Sequence, residues 1–540
     1  MMRSYFERKY EQALDVLRRS TACSEIEALI RADAIGGRPR ALSVEHLLAA
    51  TITAIDPQFG PVTHVAIHRL LTQMFRPAFH QRHAIPRNLT LRQVRYTFNM
   101  IVKALDYSPH SKKNADTIAA ERILIEDRTY RFLNQFIQDS IPQALPRAAS
   151  LTLDATAIDT WARPASSPPL KEKGEDYRND DSTWATQNTG SFDPDGRVGY
   201  RTQTYANGGS MFFGYTALTT ATIYDKDSPF EKLNLVNANL LIPNGSYQPD
   251  ATMRLFDDHL LADNPNPIIL VDRGFSDRDR QHWAQQLLAR GITQYFDMKS
   301  TDLKPKVDPE TGVLMAAGWP FAPWTPQELF DITPPARYTV RDTPRPKATD
   351  KQKLAHIKDQ AAKEKFRAQI AALAPYALVP NGRAKADGTW RFFTDFAPRP
   401  PADWKYPPDD EPKLHRIYNQ PTITIKSEAF GKYQQPHRWG TDEWIEIYAR
   451  RTAIEGIFGN LKQSTGENIT RGRFRVRGIA ANALVTTLAM VHYNLRMINN
   501  WALEHNVDAD DVYAATNEAE LLALLQAEAD PAEANAPPAA

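Results

Sequence analysis

The stretch NPIILVDRGFSD puts four consecutive apolar residues, Ile268 to Val271, directly before Asp272. A continuous apolar run of strand length fits a strand covered on both faces, and such strands belong to sheets flanked by helices. A second β-prone run, SLTLDATAID, alternates from Ser150 to Asp159 and carries Asp154. Together they predict a mixed α/β fold with aspartates where strands leave the sheet, which is where open α/β sheets gather their ligands.

The third candidate carboxylate is Glu455, in the run YARRTAIEGIFGNLK. Read as one helix turning about 100° per residue, this spacing brings Tyr448, Arg451, Glu455 and Lys462 within roughly 60° of one another. One carboxylate is then flanked by two cations and a phenol. That layout suits a nucleic acid: a carboxylate holding a divalent cation, and cations gripping phosphate oxygens, act on the same polyanion. The residues also fit a solvated helix face with an ordinary Arg451–Glu455 pair, worth only about 0.2–0.5 kcal/mol. The two strand-end aspartates favour the first reading.

On these three segments the chain resembles the DDE transposases of bacterial insertion sequences, in particular the subgroup with a Tyr-x2-Arg-x3-Glu-x6-Lys signature. Tyr448, Arg451, Glu455 and Lys462 match that spacing without error, Asp272 to Phe275 is similar to the family's second-aspartate segment, and LTLDAT to its first. The likeness covers residues 148–300 and 440–500. It implies an RNase H-like mixed sheet with flanking helices, a catalytic and metal-binding set of Asp154, Asp272 and Glu455, and DNA contacts from Tyr448, Arg451 and Lys462. It further implies Mg²⁺ as cofactor, with Mn²⁺ able to substitute, and double-stranded DNA as partner, both transposon ends and target. A homodimer assembled on DNA, in the cytoplasm of a bacterial cell and associated with its nucleoid, completes the expectation.

In that chemistry, water or a 3′-hydroxyl attacks phosphorus in line with the departing oxygen, and two ions roughly 3.5–4 Å apart stabilise both ends of the displacement. Asp154 is expected to bridge the ions, with Asp272 and Glu455 completing one site each. A domesticated nuclease on the same fold shares the three carboxylates without strand transfer. An inactive DNA-binding descendant shares only the basic surfaces, and the intact triad argues against it. A glycosidase with paired carboxylates has no use for Arg451 and Lys462 beside its acid.

Charge supports a polyanionic partner once it is divided along the chain. The net charge is only +1, yet residues 57–105 hold seven Lys/Arg, four His and no acid. Residues 468–503 hold five Arg and no acid, four of them alternating as Arg471, Arg473, Arg475 and Arg477. The balance comes from residues 504–540, with nine acids and no Lys/Arg. Local sign is what a polyanion meets. A lone Cys23 excludes an intramolecular disulfide and a Cys-ligated zinc site. The charged N-terminus MMRSYFERKYEQALDVLRRS is not expected to direct export, and no apolar run is long and unbroken enough for a membrane span.

The expected layout runs from a helical, DNA-binding segment at 1–147 to the first part of the catalytic core at 148–300. An insertion domain at 301–440, the second part of the core at 441–503 and an acidic Ala/Pro-rich tail at 504–540 complete it. In the first segment Thr90 is read as the cap of a helix whose Leu91, Val94, Phe98, Ile101 and Leu105 face a core, leaving Arg92 and Arg95 for DNA. A helical packing or dimerisation unit is the competing reading of this segment. In the core the expected order is strand, strand, strand, helix, strand. Asp193 and Asp195 are assigned to a DPDG turn, and His492 to a satisfied interior site. The insertion offers Trp319, Trp324, Trp390 and Trp404, most of them expected in a core, with base stacking as the alternative.

Overall fold

The computed structural model describes residues 2–33, 40–114, 117–148, 150–163, 191–201, 210–246, 248–259, 267–276, 280–339, 343–344, 346–394, 399–402, 420–431 and 433–529. The chain divides into two compact units: residues 1–148, 154–259 and 453–540 form the first, and residues 149–153 and 260–452 the second. The acidic end beyond residue 529 and Trp404 lie outside the described residues, as do most of residues 162–197, whose Pro, Asp, Lys and Ser read as a surface loop, and the TQTY part of YRTQTY, which reads as a strand.

The first unit joins helices to an antiparallel sheet. Strand β1 (Ser150–Asp159) contributes its second half, followed by β2 (Arg197–Arg201), β3 (Ser210–Ile223) and β4 (Val236–Pro243). The 14-residue β3 pairs antiparallel with β2 through residues 210–214 and with β4 through residues 215–221. Strand β4, VNANLLIP, was not expected: the core order has four strands before the helix Gln248–His259, not three. Its two asparagines and the proline at its end weaken its β signature, and burial on the sheet overrides that local preference.

Helix Ile479–Glu504 is buried on nearly all sides as far as Leu495, rather than along one stripe. Interior polar groups must be paired, and here they fasten the helix. Asn494 accepts from Val236 N and donates to Val236 O, both at 2.9 Å, and His492 Nδ1 lies 3.0 Å from a Glu467 oxygen. The Arg496 guanidinium takes both Glu467 oxygens at 2.9 and 3.0 Å. Burial pushes the Glu467 carboxyl up, but the His492 and Arg496 bonds outweigh it and hold it below the usual range. In the N-terminal segment, Thr90 caps helix Leu91–Leu105 in a capping box with Gln93, and Val94, Phe98, Ile101 and Leu105 are buried while Arg92 and Arg95 are exposed.

The second unit contains a parallel sheet. The first half of β1 runs beside β5 (Ile268–Val271), and β5 beside β6 (Thr293–Phe296), both pairs parallel. The register closes with Leu153 opposite Val271 and Val271 opposite Phe296. Two three-stranded antiparallel sheets and a charged helix, Asp350–Leu373, fill the stretch expected to be an insertion. Trp319, Trp324 and Trp390 are buried in one apolar cluster with Phe321, Phe392 and Phe430. These three tryptophans are core residues, and each buries the large apolar area that aromatic packing supplies.

Candidate active site

Three parallel strand segments end alike. After the register partners Leu153, Val271 and Phe296, the next residue in the chain is an aspartate: Asp154 within β1, and Asp272 and Asp297 just past the ends of β5 and β6. Asp154 and Asp272 are half-buried. Asp297 was not singled out from sequence, although the run TQYFD repeats the pattern of apolar strand followed by Asp. Its Oδ1 accepts from Tyr338 Oη at 2.5 Å and Trp439 Nε1 at 2.9 Å.

The helix carrying the four-residue signature is not continuous. It runs as α-helix Asp442–Tyr448, a 3-10 turn Ala449–Arg451 and α-helix Thr452–Lys462. A 3-10 turn advances about 120° per residue rather than 100°, so three residues add roughly 60° of rotation. The single stripe expected from Tyr448 to Lys462 therefore holds only for Glu455 and Lys462, seven residues apart on the last segment. Ala449, Arg450 and Arg451 include no helix breaker that would have marked the turn.

The two ends of that run have different surroundings. In the second unit, Gln435 Oε1 accepts from Phe296 N at 3.0 Å and from Trp444 Nε1 at 2.8 Å, which ties helix Asp442–Tyr448 to β6. Tyr448 is 8 % exposed and stacks on Trp444 with ring centroids 4.5 Å apart. Burial raises its phenol pKa, opposed by the Arg451 charge and assisted by those of Asp297 and Asp272. Tyr448 therefore does not face solvent as a phosphate contact should. Its hydroxyl lies within electrostatic reach of Asp272 and Asp297. Arg451 is half-buried.

In the first unit, Ile454, Ile457, Phe458 and Leu461 bury one face of helix Thr452–Lys462 and leave Glu455 exposed. Lys462 Nζ donates to Thr156 Oγ1. Thr156 lies two residues beyond Asp154, and residues two apart on a strand share a face. The signature lysine thus sits at the strand face of the first aspartate. Gly459 has open space where a Cβ would be, one turn beyond Glu455.

The four alternating arginines divide by role. Arg473 is 5 % exposed, its guanidinium donating to Ile55 O at 2.6 Å and Asp56 O at 3.2 Å. That side chain is used by the fold and is withdrawn from the DNA-contact set. Arg471 donates to Ala162 O at 3.0 Å but is exposed, Arg475 is exposed, and Arg477 lies over the Phe192 ring.

Among the described residues, no group of three or more His, Cys, Asp or Glu side chains is gathered so as to hold a metal ion. Asp193 and Asp195, the spare carboxylates, are fully buried. Asp193 accepts from Thr160 Oγ1 at 2.6 Å, Tyr215 Oη at 2.8 Å and Gly478 N at 3.0 Å. Asp195 accepts from Ser108 Oγ at 2.5 Å and Ile479 N at 2.8 Å. They form the turn that was expected, and they also cap the first turn of helix Ile479–Glu504, whose amides have no partner within the helix.

Residues 416–499 match the family model described as Transposase DDE domain. The match covers 84 of the 540 residues, so this stretch is similar to a transposase DDE domain. Tyr448, Arg451, Glu455, Lys462 and the four arginines lie inside the matched residues, while Asp154 and Asp272 lie outside them. No curated protein and no solved structure matches the chain. Among the described residues, no helix is long and apolar enough to cross a membrane.

Proposed function

We propose that the chain is a DNA transposase that cleaves transposon ends and transfers the freed strand into target DNA, on an RNase H-like core. The observation that carries this reading is the register of β1, β5 and β6, which puts an aspartate directly after three paired residues. Asp154 and Asp272 each follow directly on one of the register partners Leu153 and Val271. The Lys462–Thr156 bond supports a place for the Glu455 helix beside the strand that carries Asp154.

Asp154, Asp272 and Glu455 would hold Mg²⁺ or Mn²⁺. The donor set fits by chemistry, since all are hard carboxylate oxygens. When bound, divalent ions supply charge stabilisation to the attacking and leaving oxygens of an in-line displacement. Lys462 and Arg451 bind phosphate oxygens and fix the strand, and Tyr448 positions Asp272 from behind rather than touching DNA. Arg92, Arg95, Arg471, Arg475 and Arg477 supply backbone contacts away from the reacting phosphate. The active assembly on DNA is a homodimer, located with the bacterial nucleoid.

The test is an incubation of the full chain with labelled DNA carrying the sequences that flank its gene, with Mg²⁺, Mn²⁺ or EDTA. Cleaved ends and joined products with either metal, and neither with EDTA, are expected. Cleavage without joining would leave a nuclease, and no cleavage under any condition would overturn the reading.

A further inference from the structure

The sequence offers two basic segments for a polyanion, helix Leu91–Leu105 and the run from Arg471 to Arg477. In the first unit they belong to one surface. Val62 N donates to Arg473 O at 2.8 Å, and Val62 and Phe474 form a parallel bridge. This pins the segment before His64 against the arginine run. Arg473 turns inward onto Ile55 O and Asp56 O, while Arg475 stays exposed.

The result is an open cleft lined by Thr63, His64, Arg95, Phe98, Arg475 and Val476, with no acidic residue in its lining. Arg95 and Arg475 are exposed, and neither is in an ion pair among the described residues. The floor is defined: the His64 ring meets the Phe98 ring edge-on at 4.9 Å. Burial, followed by the Arg95 charge, lowers the His64 pKa, so Arg95 lies within electrostatic reach of the floor. A larger cavity in the same unit, lined by Lys9 and Arg496, offers a contrast. There Lys9 is paired with Asp56 and Arg496 with Glu467, so both cations are already neutralised.

We infer that this cleft is a composite seat for one stretch of DNA sugar-phosphate backbone, with Arg95 and Arg475 gripping phosphates from the two segments that the Val62–Phe474 bridge holds together. The inference rests on the transposase reading for its choice of polyanion. Two arginine forks on an acid-free cleft are suited to phosphate oxygens, since no carboxylate in the lining competes for them. Because Arg475 stands 20 residues beyond Glu455, the cleft would couple end recognition in the N-terminal helices to the segment that follows the catalytic helix.

The experiment uses the full chain, a fluorescent duplex of about 30 base pairs carrying the gene-flanking sequence, and binding titrations across a salt series. Arg95→Ala and Arg475→Ala should each weaken binding and flatten the slope of log K against log salt by about 0.9, the value for one lost phosphate contact. The double variant should lose less than the product of the two single fold-losses, because the arginines hold one stretch of strand. Lys103→Ala, on the same helix but paired with Asp33 at 3.5 Å, should bind as wild type. Unchanged affinity and slope in both single variants would overturn the cleft while leaving the transposase reading intact if cleavage persists. Independent, multiplying losses would overturn the composite seat. A wild-type chain that binds neither this duplex nor a random one at low salt would overturn both. Thermal unfolding of each variant, expected unchanged at these exposed positions, separates lost contacts from lost fold.

Discussion

Two sets of carboxylates in this protein are alike in composition and opposite in environment. Asp193 and Asp195 lie two residues apart, are fully buried, and are surrounded by hydroxyl and amide donors. Asp154 and Glu455 lie 301 residues apart, one half-buried and the other exposed, on a strand and a helix linked by the Lys462–Thr156 bond. Closeness in sequence goes with a structural task here, because a tight turn can offer both carboxylates to one helix start. Distance goes with a candidate catalytic task, because tertiary folding brings the strand's Thr156 and the helix's Lys462 together without burying Glu455.

The largest effects should come from the open set. Asp154→Asn, Asp272→Asn and Glu455→Gln should each lower metal-dependent cleavage by about three orders of magnitude, the upper range for losing one preorganised electrostatic partner. DNA affinity should remain near wild type. Cleavage at the normal rate by any one of them would remove that residue from its role.

The buried set should answer in stability. Asp193→Ala leaves Thr160, Tyr215 and the Gly478 amide without an acceptor, at a cost of about 3 kcal/mol or more. Denaturant titration should show the loss, and an unchanged midpoint would contradict the capping role.

Asp195 sharpens the contrast through pH. Burial pushes its pKa up to about 6, partly offset by the Ser108 and Ile479 bonds. A carboxyl that holds its proton more tightly when folded contributes stability below the unfolded value of about 3.9, and that contribution fades as pH rises through about 6. Asp195→Asn should therefore flatten the fall in stability between pH 4 and 7 relative to wild type, by on the order of 2–3 kcal/mol. Parallel profiles for the two proteins would show that Asp195 titrates normally.

The smallest effect should come from the link itself. Thr156→Val removes the acceptor for Lys462 with little change of shape, and should cost about 1 kcal/mol, or a few-fold in cleavage rate. A null result in both stability and rate would make that bond incidental.

Strands with strong local patterns were legible: β1 and β5 follow from alternation and an unbroken apolar run, and the Thr90 cap from its place directly before a helical apolar pattern. What escaped was set by tertiary context. Strand β4 gains its stability from β3 and from Asn494, 258 residues away. The 3-10 turn at Ala449–Arg451 follows no residue signal. Arg473 reads like its neighbours Arg471 and Arg475, and only its tertiary bonds to Ile55 O and Asp56 O set it apart. Asp297 follows the apolar run of β6, and its significance depends on the register of Phe296 with Val271, which no single segment encodes.

The most direct measurement is the anomalous scattering of Mn²⁺ in crystals of the full chain bound to gene-flanking DNA. The expected result is manganese density with carboxylates of Asp154, Asp272 and Glu455 all within about 8 Å of one point, the span of a two-metal centre. Manganese bound elsewhere, or three carboxylates that stay well apart with DNA in place, would contradict the assignment of these residues to strand cleavage.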